Sequence, residues 1–355
     1  MNIVPIVIPS LEPDERLMIL LQDLQKAQIS PVILIDDGSS PEYKHYFDEA
    51  QNQYGCTVLR HHVNMGKGRA LKTAFNYCLN TYPQMIGCVT ADSDGQHSPE
   101  CIKKCMNALQ ENPGKLILGC RDFDAQGVPD RSRMGNKITR KVCKLLCGVS
   151  VTDTQTGLRA IPKEFMRYLL NVSGERFEFE TNMLLETKDR IRIIEVPVET
   201  IYDSKDNHQS HFNPVKDSIR IYRLFGREFG KFLLTSVSSC VIDFALFAMF
   251  CTAFRGMQDS WYIILATALA RMISATYNYL MNYKVVFKSK AGLKHSALRY
   301  VALAVAQMFM SAGGVTLLVS VVPVSVKEVY VKIPVDTILF FVSYIVQREF
   351  VYRKC

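Results

Sequence analysis

The sequence predicts an α/β domain built on a mainly parallel sheet, followed by an all-α unit of four membrane-spanning helices. Three observations carry this: short apolar runs alternate with helical stretches as far as Leu118, polar clusters sit just after those runs, and the last third of the chain is made of long apolar segments. In order, Ile3 to Ile8 reads as a buried strand, and Leu17, Leu20, Leu21 and Leu24 then recur at helical spacing. Val32 to Ile35, Cys56 to Leu59, Ile86 to Thr90 and Leu116 to Leu118 read as further strands, with helices over Gly68 to Leu79 and Ser98 to Leu109. Alternation of this kind implies parallel strands covered by helices on both faces. Ligands of such sheets bind at the carboxyl ends of the strands, which is where the polar clusters fall.

The C-terminal spans are read at about 232–254, 261–283, 300–322 and 333–351. Each is close to the roughly 20 apolar residues a bilayer-crossing helix needs. As far as Gln347 their only interior charges are Asp243, Arg271 and Asp336, which are costly in hydrocarbon and stand open between structural ion pairing and a functional role. The chain of 355 residues carries a net charge of +8. That excess lies in the apolar part, where 12 Lys and Arg face 5 Asp and Glu beyond residue 231, against 30 and 29 before it. A nucleic-acid-binding protein would place its basic patch on a soluble module, so this distribution points to lipid headgroups instead. Lys284, Lys288, Lys290, Lys294 and Arg299 between the second and third spans, with Arg348, Arg353 and Lys354 at the end, predict that the N-terminal domain and the C-terminus face the cytosol.

The 11 cysteines are scattered, and Met1 leads straight into the first strand, so no secretory leader and a reduced, cytosolic setting are expected. Cys101/Cys105 and Cys143/Cys147 have helical spacing but no companions that would complete a zinc site. A dinucleotide-binding loop fails because Pro9-Ser10-Leu11-Glu12 stands where Gly-x-Gly-x-x-Gly is needed. A phosphate-binding NTPase loop fails too, since Asn64-Met65-Gly66-Lys67-Gly68 lacks its Ser or Thr and has His61 where Gly is required.

What remains is carboxylates at strand ends: Asp36-Asp37-Gly38-Ser39 after the second strand and Asp92-Ser93-Asp94-Gly95-Gln96 after the fourth. Read as extended backbone, Asp92, Asp94 and Gln96 point the same way and offer three oxygens to one hard cation, Mg²⁺ or Mn²⁺, which would bridge a diphosphate.

Ile8-Pro9-Ser10, Ile35 to Ser39, Asn64 to Gly68, Asp92 to His97, Gly119-Cys120-Arg121 and Asp153-Thr154-Gln155-Thr156-Gly157 together resemble the family 2 glycosyltransferases of the dolichyl-phosphate mannose synthase type. The apolar part resembles a GtrA-type four-helix domain, notably in Ala270 to Ala275 with Asn278 and in Phe341 to Tyr344 with Gln347-Arg348. The resemblance implies a GT-A-type, Rossmann-like catalytic domain over residues 1–213, an interfacial helix at 214–230 and a membrane domain over 231–355. It implies that Pro9, Leu11, Glu12, Asp36, Asp37, Lys67 and Asp92 serve the nucleotide, although Leu11-Glu12-Pro13 departs from the Asn-Glu usual in the first loop. Asp92, Asp94 and Gln96 are implied as metal ligands. Arg121 and Arg133 are implied at the phosphates, Asp153 and Gln155 on the acceptor side, and Lys205, Ser210 and His211 in a mobile loop that meets the acceptor phosphate.

The implied reaction is transfer of a hexose from a GDP- or UDP-linked donor to a polyprenyl phosphate, undecaprenyl or dolichyl, at the cytosolic face of a membrane, the plasma membrane of a prokaryote being favoured. The acceptor oxygen is already anionic near neutral pH, so positioning and charge neutralisation outweigh a general base, with Asp153 open as base or orienting group. In-line attack implies inversion, from an α-linked donor to a β-linked product. Residues 131–147 place Met134, Ile138, Val142 and Leu145 on one stripe with Lys137, Arg140, Lys141 and Lys144 elsewhere, the pattern of a helix lying in the membrane interface. Residues 214–229 repeat the pattern. A processive polysaccharide synthase is the poorer reading, because the only tryptophan, Trp261, follows Asp259-Ser260 and not Gln-x-x-Arg. For the membrane domain, anchoring and movement of a lipid-linked sugar both stand, and a homo-oligomer is open.

Overall fold

The computed structural model describes residues 3–123, 130–188, 190–199, 216–254, 261–319 and 328–353. The chain divides into two compact units, Met1–Leu224 and Phe225–Cys355. In the first, a seven-stranded sheet has the order β3-β2-β1-β4-β6-β5-β7. The strands are β1 (Ile6–Ser10), β2 (Val32–Asp36), β3 (Thr57–Arg60), β4 (Gly87–Thr90), β5 (Leu116–Arg121), β6 (Arg159–Pro162) and β7 (Ile193–Val198). All neighbours are parallel except β6, which runs antiparallel to both β4 and β5. The first five match the strands read from sequence. β6 and β7 were not anticipated.

Strands β1, β2 and β4 are buried along their whole length, as central parallel strands covered on both faces must be. Helices α1 (Glu15–Lys26), α2 (Lys44–Asn52) and α4 (Pro99–Glu111) pack together on one side, while α3 (Lys67–Thr81), α6 (Lys163–Leu169) and α7 (Glu178–Glu186) associate on the other. Local sequence sets the helix starts. Asp14 accepts the Arg16 amide ahead of α1, and Ser98 accepts the Cys101 amide ahead of α4, whose first residue is Pro99. Each such cap is worth about 1 kcal/mol. Cys101, Cys105, Cys143 and Cys147 are all buried.

Helix α5 (Asp130–Cys147) turns Asn136, Thr139, Cys143 and Cys147 inward. Met134, Ile138 and Leu145 are exposed, beside exposed Lys137, Lys141 and Lys144. Of the stripe read from sequence these three face away from the domain's own core, while Val142 is half-buried.

The second unit is helical. In place of a separate interfacial helix and first span, α8 runs unbroken from Lys216 to Ala253. It is followed by α9 (Trp261–Met281), α10 (Leu293–Val319) and α11 (Glu328–Val346). Among the described residues, Phe229–Ala253 and Leu293–Leu318 are long and apolar enough to cross a membrane. Asp243 pairs with Arg271 at 3.2 Å and accepts from the Ser274 hydroxyl, and Asp336 pairs with Lys332 at 2.8 Å. Helices α9 and α11 end alike. Each passes into a π-helical turn, Asn282–Val286 and Gln347–Val351, and the two leading amides meet, Asn282 Nδ2 donating to Gln347 Oε1 at 3.2 Å.

Candidate active site

The carboxyl ends of β1, β2, β4 and β5 form one edge of the sheet, and because β6 runs backwards its preceding loop returns to that same edge. This collects Pro9, Asp36, Asp37, Asp92, Asp94, Arg121, Asp153 and Gln155 from segments far apart in sequence. Lys205, Ser210 and His211 lie outside the described residues, as do Pro214 and Val215 ahead of α8.

At the β1–β2 end, Ser10 pairs with Asp36 and Pro9 with Ile35. Glu12 has a positive φ of 48° and donates its amide to Ser39 Oγ, with Leu11 half-buried beside it. Asp36 accepts the Ser39 amide and lies 3.8 Å from Arg60. Asp37 is 4% exposed; its Oδ1 accepts from the Met65 amide and lies 2.7 Å from His61 Nδ1, while its Oδ2 accepts from the Gly66 amide. His61 Nε2 reaches Thr73 Oγ1 at 2.9 Å. Asp37 therefore pins the loop that starts α3. Its buried oxygens hold the backbone that presents Lys67.

Lys67, the first residue of α3, reaches across the edge to Asp92 Oδ1 at 2.7 Å and to Glu180 Oε2 on α7 at 2.9 Å. Burial disfavours its charged form, but the two carboxylates outweigh this and raise its pKa. Burial likewise pushes the Asp92 carboxyl up, yet the Lys67 ammonium, helped by His97 and Arg121, brings it down to about 2. Asp94 is raised by burial and by the neighbouring Asp92 charge. His97, 4% exposed behind them, is lowered by burial.

The expected extended run through Asp92, Asp94 and Gln96 is corrected by the structure. β4 ends at Thr90, Gly95 takes a φ of 75°, and the Gln96 amide donates to Asp94 Oδ1 at 3.1 Å, so the segment turns. An Asp side chain that bonds the backbone two residues on competes with extended structure. The alternation argument for Gln96 falls with it, whereas Asp92 and Asp94 stay adjacent.

On the other flank Arg121 grips Asp153 in a fork, Nε to Oδ2 at 2.7 Å and Nη2 to Oδ1 at 3.1 Å. Asp153 is fully buried and also accepts the Gln155 amide. Its carboxylate is committed to orienting Arg121, whose guanidinium lies 4.9 Å from the centre of the Phe123 ring. Arg133 donates from Nε to the Phe123 carbonyl, which brings it beside Arg121.

Gly157 lies against Asp92. A Cβ there would sit 2.2 Å from the Asp92 carboxylate. The three nearest atoms all belong to the Asp92 carboxylate, so Gly157→Ala displaces that side chain. The expected result is an unfolding temperature near that of the parent and an activity lower by about a hundredfold, the cost of an ångström-scale misplacement. Thermal unfolding and rate measured on one preparation check this.

Among the described residues no three His, Cys, Asp or Glu side chains converge as a complete protein cage for a metal. Two adjacent carboxylates of hard oxygen are nonetheless what Mg²⁺ and Mn²⁺ require when water and substrate phosphates supply the other ligands. The Asp92–Asp94 pair fits such an ion.

Residues 6–170 match the model for glycosyl transferase family 2, and residues 231–352 match the GtrA/DPMS transmembrane domain. The chain carries a glycosyl transferase family 2 domain joined to a GtrA/DPMS transmembrane domain. The GtrA/DPMS match makes this a membrane protein. The chain is 25% identical over 219 residues to a UDP-N-acetylglucosamine–dolichyl-phosphate N-acetylglucosaminyltransferase of Methanococcus voltae, covering 57% of this chain and 86% of the relative. It is 23% identical over 203 residues to the polyprenol monophosphomannose synthase of Mycolicibacterium smegmatis, covering 54% and 75%. Glucosyl-3-phosphoglycerate synthase of Mycobacterium tuberculosis, solved with Mn²⁺, UDP and its product, aligns over 66% of this chain and 79% of its own at 16% identity, with a TM-score of 0.44.

Two site residues escaped the sequence reading in this role. Glu180 is 8% exposed and bound to Lys67. Arg159 is fully buried and donates to the Thr156 and Glu180 carbonyls. The charged Arg at the start of the apolar β6 run was the available signal.

Proposed function

We propose that this glycosyltransferase moves a hexose from a nucleotide diphosphate donor, of the GDP-mannose or UDP-glucose type, to a polyprenyl phosphate, with inversion, at the cytosolic membrane face. The observation that carries the reading is the Asp92–Asp94 pair with Lys67 on one side and Arg121 on the other, in a family 2 domain that continues into a GtrA/DPMS domain. Relatives named for dolichyl phosphate and polyprenol acceptors support the acceptor class.

A Mg²⁺ or Mn²⁺ ion held by Asp92 and Asp94 would neutralise charge on the departing nucleoside diphosphate. Lys67, carried at the N-terminus of α3, is placed for the donor diphosphate, where a helix start also favours anions. Pro9, Leu11, Glu12 and Asp36 border the space for base and ribose, and Asp37 serves it by fixing the loop of Lys67. Arg121, its plane fixed by Asp153, and Arg133 orient the acceptor phosphate, whose own oxygen attacks. Asp153 acts as the orienting group and no general base is needed, since a carboxylate held in a guanidinium fork is poorly placed to accept a proton.

The exposed Met134, Ile138 and Leu145 stripe, flanked by lysines, supports α5 as an interfacial helix that brings the site to the lipid acceptor. Ile138→Glu is expected to lower transfer to acceptor in vesicles about fivefold, with transfer to detergent-solubilised acceptor unchanged. For the membrane domain we favour anchoring, because Asp243 and Asp336 each have a local partner within it. The functional test is a panel of labelled nucleotide sugars offered with undecaprenyl or dolichyl phosphate. One donor is expected to label the lipid phase and a chelator to abolish the labelling. Labelling that persists in excess chelator would overturn the metal part of the reading.

A further inference from the structure

We propose that Glu180 is a positioning residue that keeps Lys67 from competing with a divalent cation for Asp92. The inference rests on the reading that Asp92 and Asp94 hold that cation. In the structure one ammonium serves two carboxylates, 2.7 Å from Asp92 Oδ1 and 2.9 Å from Glu180 Oε2. A cation that binds Asp92 must displace the ammonium from that oxygen. Lys67 is only 16% exposed, so an ammonium whose sole partner was Asp92 would be left buried and uncompensated, which is strongly unfavourable. Glu180, itself 11% exposed at its side chain, provides the alternative partner without any rearrangement of the backbone.

Glu180 is held for this task from several directions. Its carbonyl accepts from Arg159 Nη1 at 2.6 Å, and Arg159 is fixed in turn through Nε on the Thr156 carbonyl. The segment leading into α7 is tied to α3 by the Arg69 amide on the Glu175 carbonyl and by Lys72 Nζ on the Gly174 carbonyl. Lys72 also lies 5.0 Å from the centre of the Phe179 ring. With α3 and α7 clamped at the level of Lys67 and Glu180, the ammonium pivots between two fixed carboxylates. It remains in the site, ready for donor phosphate, after the cation takes Asp92.

The test is Mn²⁺ binding by the purified full-length protein in detergent, with free Mn²⁺ counted by electron paramagnetic resonance, for the parent, Glu180→Gln, Lys67→Met and the double variant. Glu180→Gln is expected to weaken Mn²⁺ binding about tenfold, the scale on which groups behind metal ligands act. Lys67→Met is expected to bind Mn²⁺ at least as tightly as the parent, and adding Glu180→Gln to it to cause no further loss. Equal losses in both backgrounds would overturn the proposal, since Glu180 would then act through its own charge. Both substitutions nearly preserve shape. Should Glu180→Gln lower the unfolding temperature, Glu180→Asp, which keeps the charge but shortens its reach, is expected to show the same dependence on Lys67. Asp94→Ala distinguishes the levels: if the parent binds Mn²⁺ no more tightly than this variant, the metal reading itself fails and takes the inference with it.

Discussion

Asp94→Ala is expected to lower sugar transfer about a thousandfold, with nucleotide binding in the absence of metal and the unfolding temperature close to the parent values. The expectation follows from where the residue sits. Asp94 lies on a turn beyond β4, outside the packed sheet, so its loss leaves the core intact. Its carboxyl is raised by burial and by the Asp92 charge. Raising Mg²⁺ or Mn²⁺ to tens of millimolar is expected to restore little, because one remaining carboxylate cannot complete the site. A residual rate within tenfold of the parent would remove Asp94 from the chemistry.

The second large effect is at Arg121. Arg121→Met leaves the fully buried Asp153 carboxylate without its guanidinium, and unpairing a buried charge costs about 3–5 kcal/mol. Transfer is expected to fall at least about a hundredfold as well, because the guanidinium proposed to orient the acceptor phosphate is gone. The two consequences separate in the double variant Arg121→Met/Asp153→Asn, which removes the stranded charge. Thermal unfolding is expected to recover most of the lost stability while activity stays low. Recovery of both together would reduce Arg121 to a structural residue. Arg121→Lys is expected to rescue incompletely, since an ammonium lacks the planar fork that matches Asp153.

The parallel part of the sheet was legible because β1, β2 and β4 are buried on both faces and read as unbroken apolar runs bounded by turns. β7 was less legible: its Ile193–Val198 run mixes Glu195 and Pro197 with apolar residues. β6 hid for a different reason. It is four residues long and starts with Arg159, a charge whose burial makes sense only once Asp92, Asp153 and Glu180 surround it. Those carboxylates come from three other segments, and no local pattern brings them together.

The same limit governs the site. The strand-end carboxylates and Arg121 stood out because their chemistry is unusual at those positions. The grip of Asp37 on the Met65-Gly66 backbone, and the sharing of Lys67 between the segment after β4 and α7, are tertiary contacts across 25 to 113 positions in sequence. Where the sequence reading went astray it was over local geometry: strand periodicity was carried past Thr90 into a segment that Gly95 and the Asp94 side chain bend into a turn.

The central claim is that the acceptor is a polyprenyl phosphate, and mass spectrometry of the lipid product tests it most directly. Full-length protein, Mn²⁺, the preferred nucleotide sugar and polyprenyl phosphate are incubated together, and the released nucleoside diphosphate is quantified alongside. The account predicts a lipid whose mass is that of polyprenyl phosphate plus one sugar residue, formed one for one with nucleoside diphosphate and absent with Asp94→Ala. Release of nucleoside diphosphate with no sugar-bearing lipid would contradict it.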